Sequence, residues 1–288
     1  MTATDGSVPP ISANTQVVAV IGDPIAHSLS PTIHNAGFSA RRLDWVCVAF
    51  PVGAGDAVAA AAAVRSLGLR GMSVTMPHKS EIAAGMDHLS DAARALGSVN
   101  CVIRRDGELL GDNTDGAGFL GGLREDFDME PSGADCVVLG AGGAARAVVL
   151  ALADAGARSV RVVNRTRANA ERAAALAGVV GSVGAPGDVA GADLVVNATP
   201  VGMGDVGGGD DVPVDARLLR PGQVVAELVY HPATTPLMAA ATAAGARTAN
   251  GVSMLVHQAG AAFTLWTGEP APIAEMGAAA RAALSPQR

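Results

Sequence analysis

Apolar residues along this chain come in short runs, and most runs end on a glycine, proline, asparagine or aspartate. Gln16–Ile21 is the first, a buried strand closed by Gly22-Asp23-Pro24. Ser30-Pro31 then predicts a helix start, with Ser30 as cap and Pro31 at the first helical position. Asp44–Pro51 reads as a strand, residues 56–67 as an alanine-rich helix and Gly71–Thr75 as a third strand. A helix near 79–86, another over Ser90–Leu96, and a strand pair Ser98–Arg104 and Glu108–Asp112 turning at Asp106-Gly107 complete this half. Such alternation predicts a mostly parallel sheet.

The pattern restarts at Asp135–Leu139, a run rich in β-branched residues that enters a glycine turn. Helices over 144–155, 168–177 and 235–244 alternate with strands at Ser159–Val163, Leu194–Ala198 and Val224–Leu228. This is the rhythm of a doubly wound nucleotide domain. Gly202–Val214, rich in glycine and aspartate, reads as a mobile loop. The chain is therefore expected to be α/β, and its 288 residues allow two domains.

Composition narrows the function. The chain is 49% hydrophobic with only 3% aromatic residues, so its helices should pack through small side chains. A net charge of -7 argues against nucleic acid as the main partner, because phosphate neutralisation needs a basic face. Cys47, Cys101 and Cys136 are far apart and suggest neither a disulfide framework nor a zinc site, and the histidines show no metal-type pairing. Residues 1–15 are polar and read as a flexible tail rather than a signal peptide, and no run approaches membrane-spanning length. A soluble cytoplasmic protein is expected; a homodimer stays open.

Two constellations carry chemistry. Gly140-Ala141-Gly142-Gly143-Ala144-Ala145 fits G-x-G-x-x-G/A between a strand and a helix. The first glycine permits a tight turn, the second lets backbone approach a pyrophosphate, and the small last residue lets helix and strand pack closely. Where an acid would hold a ribose 2′-hydroxyl, the next strand ends in Asn164-Arg165-Thr166. A guanidinium there can receive a 2′-phosphate; one charge-assisted bond of roughly 1.5–3 kcal/mol favours NADP by about ten- to a hundredfold. The second constellation is Ser73-Val-Thr75-Met-Pro-His-Lys79, to be read with Asn100 and Asn113-Thr-Asp115. It combines a lysine able to move a proton with groups that suit a polyhydroxylated acid. Ser28 and Ser30, at i and i+2, point the same way in an extended segment and could grip one carboxylate. Taken singly, each of these residues is as well explained as a cap, a turn former or a surface group.

Taken in order, the segments resemble the shikimate dehydrogenases: Pro24–Asn35, Ser73–Lys79, Leu96–Asn100, Asp112–Asp115, Gly140–Ala145, Asn164–Thr166, Asn197–Pro200, Leu228–Tyr230, Thr235–Leu237 and Gly251–Gln258. The resemblance implies reversible, NADP-dependent reduction of 3-dehydroshikimate to shikimate. It implies Lys79 as acid/base with Asp115 beside it, and Ser28 and Ser30 on the substrate carboxylate. Thr75, Asn100, Asp115, Tyr230 and Gln258 would surround the ring hydroxyls. Gly140, Ala141, Gly142, Gly143, Ala144, Asn164, Arg165, Thr166, Leu228 and Gly251 would contact the cofactor, with Met254 near the nicotinamide and Asp91 a further cofactor-associated acid. For Gln258 to reach substrate, the C-terminal helices must return to the first domain. The expected layout is a discontinuous N-terminal substrate domain (residues 1–116), an inserted Rossmann-type NADP-binding domain (117–250), and returning helices (251–288).

Three positions depart from the family pattern. Ser73 stands where asparagine is usual, His78 replaces an aromatic residue and could titrate near neutrality, and Asn169 replaces a second arginine, for which Arg167 could compensate. The competing readings are a quinate or aminoshikimate dehydrogenase of the same superfamily, and a non-catalytic NADP-binding regulator that kept the fold.

Overall fold

The computed structural model describes residues 10–204 and 211–285. Of the polar start, residues 1–9 lie outside the described residues, as do 205–210 of the glycine-rich loop. Residues 12–15 form a turn that is tied down where Thr15 Oγ1 donates to Asp44 Oδ1 at 2.6 Å. The chain divides into two compact units, Met1–Thr114 with Gln258–Arg288, and Asp115–His257.

The first unit is built on β1 (Gln16–Gly22), α1 (Ser30–Ala40), β2 (Trp45–Pro51), α2 (Ala57–Ser66), β3 (Gly71–Val74), β4 (His88–Leu89), α3 (Asp91–Leu96), β5 (Cys101–Arg105) and β6 (Glu108–Asp112). Its sheet runs β2-β1-β3-β5-β6-β4. β1 is parallel to β2 and β3, but β5 is antiparallel to both β3 and β6. The expected mostly parallel sheet is therefore mixed. The cause is local: Asp106 and Gly107 both have positive φ (52° and 87°), which matches the twist of a two-residue hairpin and forces β5 and β6 antiparallel.

Two further expectations fail here. Leu29, not Ser30, stands at the cap of α1, which has no side-chain cap bond. The helix near 79–86 is a run of turns followed by a single 3-10 turn, Ile82–Gly85. A helix would need the Lys79 carbonyl to accept from residue 83; it accepts instead from Val99 N at 2.7 Å. A window this short cannot outweigh a tertiary bond.

The second unit comprises α4 (Asp115–Phe127), β7 (Asp135–Leu139), α5 (Gly143–Asp154), β8 (Ser159–Val163), α6 (Arg167–Ala174), β9 (Gly181–Val183), β10 (Leu194–Asn197), β11 (Val224–Glu227), α7 (Pro236–Ala243) and β12 (Arg247–Ala249). The sheet order is β12-β11-β10-β7-β8-β9, parallel throughout. That is the doubly wound order of dinucleotide-binding sheets. Valine-rich β7, β10 and β11 are buried on both faces, as helix-covered parallel strands must be. The chain leaves this unit within α8 (Val252–Thr267) and ends in α9 (Ile273–Leu284). The sequence pattern missed α4, β9 and β12, because glycines in the helix and three-residue strands carry almost no periodicity.

Candidate functional site

In the first unit, the C-terminal ends of β1 and β3 converge on the Ser73–Lys79 segment. Thr75 N donates to Ile21 O at 3.0 Å and Asp23 N to Met76 O at 3.0 Å, so the turn after β3 is laced to the turn after β1. Gly22 permits the approach, since a Cβ there would sit 2.5 Å from the Thr75 methyl. Met76-Pro77 is a cis peptide. His78 is buried, and its Nε2 lies 2.8 Å from Val52 O; because a carbonyl only accepts, that nitrogen carries the proton. Lys79 is half-buried at the end of this turn.

Asn100 completes the cluster. Its carbonyl accepts from Val74 N at 2.8 Å, next to the Lys79–Val99 bond, and its side chain is buried. Asn100 Oδ1 accepts from Thr114 N at 2.8 Å, and Nδ2 donates to Thr114 Oγ1 at 3.1 Å. Asn113 Nδ2 donates to Ser98 O at 3.1 Å. Thr75, Lys79 and Asn100 are thus brought together by backbone bonds, and Thr114, held by Asn100, precedes Asp115 in the chain. Asp115 itself is buried as the first residue of α4 in the second unit. Ser28 Oγ accepts from Ser30 N at 3.3 Å at the start of α1, so the two serines share one corner. Asp91 is exposed on α3 in the first unit and pairs with Arg94 at 2.8 Å.

In the second unit the glycine turn has the features a pyrophosphate needs. Gly140 has φ +104° and lies under Ala198, whose carbonyl would be 2.9 Å from an added Cβ. Gly142 caps α5 without a side-chain bond, and added Cβ atoms at Gly142 or Gly143 would meet nothing within 4 Å among the described residues. Unsatisfied N–H groups of a 12-residue helix therefore face open space. Ala141 and Ala144 are half-buried beside them. At the end of β8, Asn164 Nδ2 donates to Thr166 O at 3.0 Å, which shapes the loop, and Arg165 is exposed with no ion-pair partner among the described residues. Arg167 pairs with Glu171 at 2.9 Å, and Arg172 donates to Asn169. These residues fit a dinucleotide carrying a 2′-phosphate.

Leu228, Gly251 and Met254 line one small cavity of about 20 Å³, a gap for a water rather than a ring. Gly251 is pressed against the Leu228 carbonyl, which would be 2.2 Å from an added Cβ. Tyr230 is half-buried, and burial pushes its phenol above the ordinary value. Gln258 lies four residues beyond Met254 on α8.

The sequence reading missed the group behind this loop. Glu227 ends β11 almost fully buried, and accepts from Asn197 Nδ2 (3.0 and 2.9 Å), Val229 N (3.0 Å) and Thr235 Oγ1 (3.0 Å). Asn197 Oδ1 in turn accepts from Thr199 Oγ1 at 2.7 Å. Burial pushes the Glu227 carboxyl up, while these bonds pull it down. The network fixes the backbone at Leu228 and Val229. Its one signal in the sequence is an acid closing an otherwise apolar strand, Val224-Val-Ala-Glu227. Among the described residues there is no grouping of three or more metal-ligating side chains, and no helix is long and apolar enough to cross a membrane.

A doubly wound parallel sheet with an open glycine turn, joined in one chain to a separate α/β unit presenting a lysine among polar side chains, defines the class of two-domain dinucleotide-dependent oxidoreductases. Comparison with known proteins makes the assignment narrower. Residues 20–102 match the shikimate dehydrogenase substrate binding domain, and residues 251–281 match the shikimate 5′-dehydrogenase C-terminal domain. Shikimate dehydrogenase (NADP(+)) of Moorella thermoacetica is 44% identical over 95% of each chain. The Thermus thermophilus shikimate 5-dehydrogenase, solved with NADP(H) and shikimate, is 35% identical with a TM-score of 0.85, covering 93% of this chain and 100% of that one. Quinate dehydrogenase of Corynebacterium glutamicum, solved with NAD, is 32% identical with the same TM-score, covering 93% and 99%. The chain belongs to the shikimate dehydrogenase family.

Proposed function

We infer that this protein is an NADP-dependent oxidoreductase that reversibly reduces 3-dehydroshikimate to shikimate in aromatic amino-acid biosynthesis. Since the quinate and shikimate enzymes match its fold equally, side chains and not architecture must carry the choice. The observation that carries the reading is the backbone-knit cluster of Thr75, Lys79 and Asn100 in a chain 44% identical to an NADP-dependent shikimate dehydrogenase.

In this reading α1 receives the substrate carboxylate: Ser28 and Ser30 supply hydroxyls, and a helix start without a side-chain cap supplies N–H donors. Thr75, Asn100, Tyr230 and Gln258 bond the ring oxygens and set which carbon faces the cofactor. NADPH, when bound, supplies the hydride. As the carbonyl π pair collapses onto oxygen, the Lys79 ammonium stabilises the developing charge and gives its proton to that oxygen; in the oxidative direction the neutral amine takes it back. Asp115 accepts from the same hydroxyl. Gly140, Ala141, Gly142, Gly143 and Ala144 hold the pyrophosphate, Asn164, Arg165 and Thr166 the 2′-phosphate, and Leu228, Gly251 and Met254 the nicotinamide end. The three cysteines form no disulfide, and burial pushes the Cys47 and Cys136 thiols up to about 12. Such inert thiols accord with a reducing cytoplasm.

The test is oxidation of shikimate and of quinate, each with NADP and with NAD, followed by absorbance of the reduced cofactor. Turnover confined to shikimate with NADP upholds the reading. Preference for quinate or NAD moves the protein to the other branch of the family, and no turnover with any pair leaves only the regulator.

A further inference from the structure

At the opposite end of the first unit's sheet, three arginines gather where few carboxylates answer them. Arg70 precedes β3 and Arg104 lies near the end of β5; Gly71 pairs with Ile103, so the two arginines stand directly opposite, with Arg104 N donating to Arg70 O at 3.2 Å. Like charges placed directly across an antiparallel pair are destabilising. Arg70, Arg104 and Arg105 line a concavity of about 350 Å³ together with Asp106, Thr264 and Trp266. That volume suits a small metabolite.

The neighbouring acids are engaged elsewhere. Asp87 pairs with Arg65, and Glu108, opposite Arg105 in the hairpin, lies 3.1 Å from His88. Asp106 faces the concavity, but no lining arginine forms an ion pair with it among the described residues. The C-terminal end of α8 adds roughly half a negative charge, and none of the three arginines donates a side-chain bond to its carbonyls among the described residues. Three guanidinium groups remain largely uncompensated in a chain whose net charge is -7.

A second observation points to a ligand. Arg104 Nε is buried and has no hydrogen-bond partner among the described residues, a donor removed from water with nothing there to receive its proton. The walls are otherwise fixed. Trp266 Nε1 donates to Val102 O at 3.0 Å, and Gly71 is required beneath that ring, because an added Cβ would be 2.2 Å from Trp266 Nε1. The Arg70 guanidinium sits 5.7 Å from the Trp45 ring centroid.

We propose that this concavity is an oxyanion site that takes a phosphate group, either inorganic phosphate or a phosphate monoester, with the Arg104 guanidinium at its wall and Arg70 and Arg105 as flanking charges. Planar guanidinium forks match phosphate oxygens, and a dianion would neutralise the opposed pair. The site is separate from the one holding Thr75 and Lys79: the length of β3 lies between them, roughly 16 Å at ~3.3 Å per residue.

Calorimetric titration of inorganic phosphate into the full-length protein, against chloride at equal ionic strength, tests the proposal. Arg165→Gln saturated with NAD is used as background, so that neither the 2′-phosphate loop nor the glycine turn takes up phosphate. Arg165→Gln should bind one phosphate per chain. Adding Arg104→Gln should weaken binding by about tenfold or more, while adding Arg104→Lys, which keeps the charge and loses the fork, should weaken it less. Arg105→Gln, at an exposed position, provides a second check and should also weaken binding. Equal affinity with and without Arg104→Gln and Arg105→Gln would overturn the proposal, as would no binding to Arg165→Gln at millimolar phosphate. Glucose 6-phosphate in the same titration separates the two sources: tighter binding than phosphate assigns the site to a monoester, weaker binding to the free ion.

Discussion

The lysine turn of the first unit and the glycine turn of the second both follow the end of a parallel strand, yet they are built in opposite ways. Around Lys79 nearly every neighbouring backbone group is bonded: Thr75 to Ile21, Met76 to Asp23, Lys79 to Val99, with His78 pinned on Val52. Around Gly142 and Gly143 nothing among the described residues stands within 4 Å of an added Cβ, and the helix start has no side-chain cap bond. A side chain that moves a proton must be held still, since misplacement is expensive in rate. A backbone cradle must be left vacant, because its donors are meant for the ligand. Rigidity in the second unit is moved one layer back, to the buried Asn197–Glu227–Thr235 network.

Substitutions can break that contrast. The largest expected effect is at Lys79: Lys79→Ala should lower turnover by roughly 10²–10⁴-fold with the melting temperature little changed. Near-normal turnover in stopped-flow assays would remove Lys79 from the mechanism. Next is Glu227→Ala, which strands the Asn197 amide, Thr235 hydroxyl and Val229 N–H in a buried corner. It should reduce stability by about 3 kcal/mol in urea denaturation. An unchanged midpoint would mean that the network does not hold the second unit's loops.

Arg165→Gln tests the vacant side of the comparison. It should raise KM for NADP by about ten- to a hundredfold and leave KM for NAD nearly unchanged. A parallel rise in both would place Arg165 on a part common to the two cofactors.

The smallest effect concerns burial without partners. His34 on α1 is fully buried between Phe38 and Trp266, with neither ring nitrogen bonded among the described residues, and burial pulls it down from 6.5 to about 3. Below pH 6.5 the unfolded chain binds a proton that the folded protein refuses, so stability is full above that pH and falls as pH drops towards 3. At pH 5.5 the loss relative to pH 8 is about 1.4 kcal/mol. His34→Leu should flatten this part of the pH–stability curve, and an identical curve in the variant would show that other groups produce the slope.

Much of this architecture was legible because its causes are local. The runs at Asp135–Leu139 and Ser159–Val163 are observed strands with the expected bounds. Asp106-Gly107 turns the hairpin where a two-residue loop belongs, and Gly140 takes the positive φ that its turn requires. The failures are equally instructive. The expected helix near 79–86 lost to the bond between Lys79 O and Val99 N, and Ser30 lies inside α1 rather than capping it. Neither competitor is visible in a window of neighbouring residues.

Sequence alone determined most of the longer strands, where the glycine turn and the lysine fall, and the resemblance those positions carry, because periodicity, turn chemistry and residue type act over a few bonds. The tertiary structure alone decided that Glu227 is buried against Asn197, that Trp266 lies on Gly71, and that Arg70 faces Arg104 across two strands. Those pairings join residues about thirty to two hundred positions apart, and the register of a sheet, not the order of a chain, brings such residues together.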